Sequence, residues 1–269
     1  MAAPTDITAQ QLFRLIGTPA CPVLIDVRID EDVQADPRLL PSAARHPHDR
    51  IEILAPVLQG HRVVVICHRG AKLSQGAAAL LRLTGIDAVG LEGGHLGWSE
   101  AGLPLVPLVA LPPRDPEGRT LWVTRRRPKV DRIACPWLIR RFVDRRARFL
   151  FVAPGEVQAV AERFGATAFD TEGAGLGHRG AYCTFDTMLE TFGLGTPALA
   201  RLAAVVRGAD TGQPDLAPEA AGLLAVSQGL SHLFTEDLAQ LEEGMVLYDA
   251  LYHWARETVQ AGSDRRAAA

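Results

Sequence analysis

The chain has only four cysteines in 269 residues, Cys21, Cys67, Cys135 and Cys183, and no two of them form a Cys-x-x-Cys pair. This scarcity excludes a disulfide framework and a zinc ribbon, and it fits a reducing compartment. No apolar run approaches the roughly 18 residues that span a membrane. The start Met1-Ala2-Ala3-Pro4-Thr5-Asp6 lacks the basic residues and apolar core of a secretory leader, so a cytoplasmic location with no membrane partner is expected. A net charge of -3 disfavours a protein that coats nucleic acid, although an even total can hide a local patch. Charged residues make up 22% and hydrophobic residues 48%, a balance suited to folded cores rather than global disorder.

Against this background one stretch stands out. Four β-branched residues, Val63-Val64-Val65-Ile66, suit a strand buried on both faces, and a small-residue helical pattern from Ser74 to Leu83 follows, closed by Gly85. Between them lies Cys67-His68-Arg69-Gly70-Ala71-Lys72-Leu73. A loop from the carboxyl end of a strand to the amino end of a helix presents free N–H groups, which favour an anion and hold a cysteine as thiolate. Cys67 is therefore the candidate nucleophile, and His68, Arg69, Gly70, Ala71, Lys72 and Leu73 are the candidate substrate or oxyanion-binding residues. The strand Val23–Arg28 ends in Asp26 and Arg28, which are expected to hold the loops above the sheet.

The rest of the first half alternates between strand and helix. A short helix is expected behind Thr8, mostly loop over Asp30–Asp49, a helical pattern over Asp49–Leu58, a strand at Asp87–Leu91, and a tight turn over Glu92–Trp98 that carries His95. Leu24-Ile25-Asp26-Val27-Arg28, Cys67 with Gly70, Ala77-Ala78, and Leu91-Glu92-Gly93-Gly94 with Trp98 and Gly102-Leu103-Pro104 together resemble the rhodanese family over about residues 5–107. The resemblance implies an α/β fold, a parallel sheet flanked by helices, in which Cys67 carries sulfur as a persulfide or binds an oxyanion. Sulfurtransferase loops commonly place serine six residues after the cysteine. Here Ser74 lies seven beyond, so the loop reads one residue longer, as in phosphatase and arsenate-reductase members, with Leu73 where those place an arginine.

Prolines at 104, 107, 112, 113 and 116 mark a linker over residues 108–118, after a first domain at 1–107. A second domain at 119–260 is expected to be helix-rich α+β, with strands at Leu121–Arg125, Arg148–Val152 and Ala166–Phe169. Its helices are expected at Val130–Phe142, Val157–Phe164, Phe185–Phe192, Pro197–Ala209, Pro218–Gly229 and Thr235–Glu257. Leu238, Leu241, Met245, Tyr248 and Tyr252 form a core-facing stripe on the last of these. Residues 261–269 read as an unstructured tail.

Eleven cations against Asp131 and Asp144 lie between Arg119 and Arg148. Without a nucleic-acid-binding motif they read as a solvated, partly self-neutralised face. Asp131–Phe142, Phe169-Asp170, His178, Cys183-Thr184-Phe185-Asp186, Val205–Asp210 and Tyr248–Leu251 resemble the chromate-resistance ChrB-type C-terminal domain over about residues 119–257. The resemblance implies a role in chromate tolerance. Asp131, Asp170, His178, Cys183, Asp186 and Asp210 are the residues here able to coordinate metal, and His178, Asp186 and Asp210 are taken as the candidate set for Zn, Fe or Mn. Cys135 is expected to be a buried helix-start residue.

The expected activity is sulfur transfer or oxyanion handling at Cys67, linked to chromate resistance and requiring no cofactor, with a small sulfur donor and an acceptor thiol as partners. The alternatives are a chromate-responsive DNA-binding regulator that uses the basic stripe, and a thiol-dependent oxyanion reductase.

Overall fold

A computed structural model describes residues 5–267. The chain divides into two compact units: residues up to Leu111 together with Arg141–Asp144, and Pro112–Arg140 together with Arg145 onward. The division falls inside the proline-rich stretch.

The first unit contains β1 (Asp6–Ile7), α1 (Ala9–Leu15), β2 (Val23–Asp26), α2 (Asp30–Ala35), β3 (Arg38–Leu39), β4 (Ala44–Arg45), α3 (Ala55–Leu58), β5 (Arg62–Ile66), α4 (Lys72–Leu83), β6 (Asp87–Leu91), α5 (Gly94–Glu100) and β7 (Val106–Pro107). Five strands form a parallel sheet in the order β1-β6-β5-β2-β4, while β3 and β7 make a separate antiparallel pair. This is the expected parallel sheet with flanking helices. Because side chains alternate across a strand, Val63 and Val65 of β5 pack with Ala77, Ala78 and Leu81 of α4 and with Ile51 and Leu58. Val64 and Ile66, equally buried, face the other side. Burial on both faces explains the unbroken β-branched run.

Three local expectations change. The interval after Asp30 is not mostly loop: α2 forms there because Asp30, Glu31 and Asp32 occupy its first turn, where carboxylates oppose the helix dipole. Residues His48–Leu54 are 3-10 rather than α, and Arg50 breaks the helical backbone within them. The turn expected over Glu92–Trp98 is confined to its start, and from Gly94 the chain is helical.

The second unit contains β8 (Leu121–Arg125), α6 (Asp131–Leu138), β9 (Arg148–Val152), α7 (Val157–Phe164), β10 (Thr167–Ala168), α8 (Thr184–Thr191), α9 (Pro197–Asp210), α10 (Ala220–Leu233) and α11 (Asp237–Ala267). Its three strands are parallel in the order β10-β8-β9. Pro136 has no N–H to donate to the turn before it, and the helix past Leu138 continues as a π turn, Ile139–Val143. Leu241, Met245, Tyr248 and Tyr252 of α11 are buried as expected, whereas Leu238 is exposed near its start. The helix runs on to Ala267 through most of the stretch read as a tail, and Ala268 and Ala269 lie outside the described residues.

Asp26 and Arg28 form a fully buried ion pair at 2.8 Å. Arg28 also donates to the carbonyls of Asp36 at 3.1 Å and Arg38 at 2.6 Å, so it ties the α2–β3 loop to the end of β2. Removing one partner of such a pair strands a charge away from water, at a cost of about 3–5 kcal/mol. Arg28→Met should therefore lower the unfolding free energy by that amount in urea titration, with Asp26→Leu/Arg28→Met recovering most of the loss. A loss in Arg28→Met below about 1 kcal/mol would mean that the pair holds nothing.

Candidate functional site

At the carboxyl end of β5 the chain turns through five residues, Cys67–Ala71, before α4 begins at Lys72. Lys72, Leu73 and Ser74 belong to the first turn of the helix. Leu73, a candidate substrate contact, instead packs against the apolar cluster beneath α4. Arg69 and Lys72 are exposed at the rim.

The loop is shaped by backbone touching backbone. Gly70 and Gly94 both have positive φ, +66° and +59°. A side chain on Gly70 would collide with the Leu91 carbonyl and the Gly93 and Gly94 amides, and one on Gly94 with the Cys67 carbonyl and the Gly70 and Arg69 amides. Only glycine allows this approach at either position. The amides of His95 and Leu96 then donate to the carbonyls of Cys67 and His68, each at 2.9 Å. These bonds pin the carbonyls downward and leave the loop amides facing the sulfur.

Cys67 Sγ is buried and surrounded by donors. The Ala71 amide donates to it at 3.2 Å, and Ser74 Oγ lies 3.1 Å away. Burial pushes the thiol toward the neutral form, but the Ser74 hydroxyl and the amides of Ser74, Ala71 and Arg69 outweigh it, so the Cys67 pKa is lowered from 9.0. Ser74 Oγ also lies 3.2 Å from the Ala71 carbonyl. Its single proton therefore has two acceptors within reach, that carbonyl and a Cys67 thiolate. Ser74 is the residue that sequence reasoning used only as a spacing mark; its place three residues into the helix behind the loop is the signal that brings it beside Cys67.

The histidines divide. His68 is part-buried, and its Nδ1 has no partner among the described residues. His95 is buried, away from a substrate-lining role, and donates through Nε2 to Asp36 at 2.9 Å. Burial holds its pKa below the usual value, while Asp36, paired with both Arg38 and His95, stays well below the usual carboxylate range.

In the second unit the candidate metal residues are only partly brought together. His178 Nε2 lies 3.1 Å from Asp210 Oδ2, 3.4 Å from Asp170 Oδ1 and 3.5 Å from Asp131 Oδ2. The bond to Asp131 and the surrounding carboxylates raise the His178 pKa to about 9; burial raises that of Asp210 to about 7 and also raises that of Asp131. Asp186 is elsewhere: it caps α8 through the Cys183 amide at 3.1 Å and pairs with Arg207 at 2.8 Å. The sequence carried a signal for this, since an acidic residue three positions after a helix start is a capping pattern. Cys135 is fully buried, as expected, and burial pushes both its thiol and that of Cys183 upward, which leaves them inert.

Part of the basic stripe is engaged within the protein. Arg119 pairs with Asp115 and Glu117, Arg125 and Arg132 with Asp170, and Arg140 with Glu242, while Arg127 donates to the Phe234 and Ser231 carbonyls. No helix among the described residues is long and apolar enough to cross a membrane.

Residues 122–255 match the family described as ChrB, C-terminal domain. Protein ChrB of Cupriavidus metallidurans is 39% identical over 146 residues, 53% of this chain and 43% of that protein, so the chain spans less than half the length of that relative. Among solved structures, a rhodanese-related protein from Thermoplasma volcanium is 25% identical, covering 38% of this chain and 96% of its own, with a TM-score of 0.33. A rhodanese-like domain protein from Staphylococcus aureus is 29% identical over 35% of this chain and 90% of its own, with a TM-score of 0.31.

The sulfur environment sets the expected pH response. Alkylation requires thiolate, so its rate in the wild type should rise with pH and level off through a midpoint below 9.0. Ser74→Ala removes a donor to the thiolate and should move that midpoint upward. Every tenfold loss of thiolate then slows alkylation at neutral pH by about three-fold, because a more basic sulfur is also a better nucleophile. Iodoacetamide kinetics across the pH range measure both effects, and an unchanged midpoint in Ser74→Ala would dismiss the hydroxyl's role.

Proposed function

Since residues 122–255 match the ChrB C-terminal domain family, we propose that the chain is a rhodanese-like protein of chromate resistance in which Cys67 acts as a sulfur-carrying nucleophile. The observation that carries this reading is the convergence of the Ala71 amide and the Ser74 hydroxyl on a buried Cys67 Sγ, with the amides of Arg69 and Ser74 adding to the stabilisation of its thiolate.

The chemistry follows from that geometry. The Cys67 thiolate attacks the outer sulfur of a donor such as thiosulfate; a bond forms between Sγ and that sulfur, and the sulfur–sulfonate bond breaks with its electron pair leaving on sulfite. The resulting persulfide anion inherits the donors that held the thiolate. An acceptor thiolate then takes the outer sulfur and Cys67 returns as thiolate, so the cycle needs no metal or cofactor. Arg69 and Lys72 at the rim attract the anionic donor, and the ring of amides favours the charge that moves onto sulfur. An oxyanion that is held but not attacked would use the same amides.

Intact-protein mass before and after thiosulfate treatment tests the reading. One added sulfur on the wild type, released by an acceptor thiol and absent from Cys67→Ala, is expected. A wild type that gains nothing, or a Cys67→Ala variant with full transfer activity, would remove sulfur carriage from this site.

A further inference from the structure

The second unit holds a group of donors for which the Cys67 chemistry has no use. Asp131 opens α6, Asp170 follows β10, His178 lies in the loop before α8, and Asp210 ends α9. Four separate segments thus deliver one imidazole and three carboxylates to one place. Oxygen or nitrogen atoms of Asp131, Asp170 and His178 all lie within 4.8 Å of one another.

The spacing distinguishes between two accounts of the cluster. A lone imidazolium N–H satisfies one carboxylate, at about 2.9 Å. Here Nε2 stands 3.1, 3.4 and 3.5 Å from three different carboxylates, shared among them rather than committed to one. Donors held about 2.1 Å from a common ion at tetrahedral angles lie about 3.4 Å from each other. The three distances from Nε2 have that size.

The carboxylates are also aimed from behind. Asp131 accepts from the amides of Thr184 at 2.6 Å and Phe185 at 3.2 Å. Asp170 accepts from the Thr184 hydroxyl at 2.9 Å, while Arg125 and Arg132 hold its other oxygen at 3.1 and 3.2 Å, leaving Oδ1 toward His178. Outer partners of this kind orient ligands at metal centres. No arginine or lysine pairs with Asp131 or Asp210 among the described residues, so once His178 gives up its proton to bind a cation, three carboxylates face only the two arginines on Asp170. His178, partly exposed, gives the cluster a side open to solvent.

We propose that Asp131, Asp170 and His178 bind one divalent first-row transition cation, of the class of Zn²⁺, Mn²⁺ and Fe²⁺ that accepts mixed imidazole and carboxylate donors, with Asp210 beside them 3.1 Å from His178. Asp170 presents one oxygen and keeps the other on its arginines. The ion takes the place of the His178 proton among the carboxylates, on the side that the part-exposed His178 opens to solvent.

The test uses the full chain, stripped with a chelator, dialysed, and titrated with Zn²⁺ and with Mn²⁺. One equivalent retained through desalting and a raised melting temperature are expected for at least one of the two metals. His178→Ala, made in an exposed loop and so without disturbing the core, should lose the retained equivalent and the thermal shift. Thr184→Val, which removes only an outer hydroxyl, should bind about 10–100-fold more weakly. A wild type that retains neither metal and melts unchanged overturns the proposal in favour of an imidazolium ion cluster, and so does a His178→Ala variant that keeps the full equivalent. Neither outcome depends on Cys67.

Discussion

The site in the first unit depends on two glycines that let one backbone rest on another. Gly70 and Gly94 meet where a Cβ on either would strike main-chain atoms that have nowhere to move. Because the turn after β6 is pressed against the loop after β5, the amides of His95 and Leu96 reach the carbonyls of Cys67 and His68. With the loop's carbonyls engaged below, its amides are left for the sulfur above. A thiolate is then favoured in a place where burial alone would disfavour it.

That arrangement has a foundation one strand away. The Asp26–Arg28 pair is fully buried and fastens the loop between α2 and β3. From that loop Asp36 reaches His95 in the helix that follows the glycine turn. The chain of contacts therefore runs from β2 through Asp36 to α5 and back to the Cys67 loop, and each link is charged or polar and at least partly buried. Such links define one geometry because every alternative leaves a polar group unpaired.

The two units solve opposite electrostatic problems with the same means. Around Cys67, backbone donors and the start of α4 favour a negative charge. Around His178, the start of α8 turns its amides onto Asp131 and so holds a carboxylate in a buried position. In the first case the helix terminus serves the anion directly. In the second it steadies an anion whose remaining face is turned to His178.

Much of this was legible in the residues. The β-branched run with Cys67 at its end, the charged end of β2, the paired glycines after β6 and the proline-rich boundary each have a local physical cause, and the backbone obeyed it. Where local signals failed, a neighbour had intervened. Leu238 keeps the helical period yet lies at the first turn of α11, where the core has not begun, and Leu73 sits in a position that spacing alone assigned to a loop. Asp186 was a plausible ligand by composition, but a helix start and Arg207 claimed it. Sequence alone determined which segments become strands and helices and that Cys67 opens the loop behind the central strand, because those follow from period, branching and glycine content within a few residues. Only the tertiary structure decided that Ser74 faces the sulfur and that Asp131, Asp170, His178 and Asp210 meet, because positions up to 79 residues apart in the chain are brought together by helix starts and strand ends whose placement no local pattern encodes.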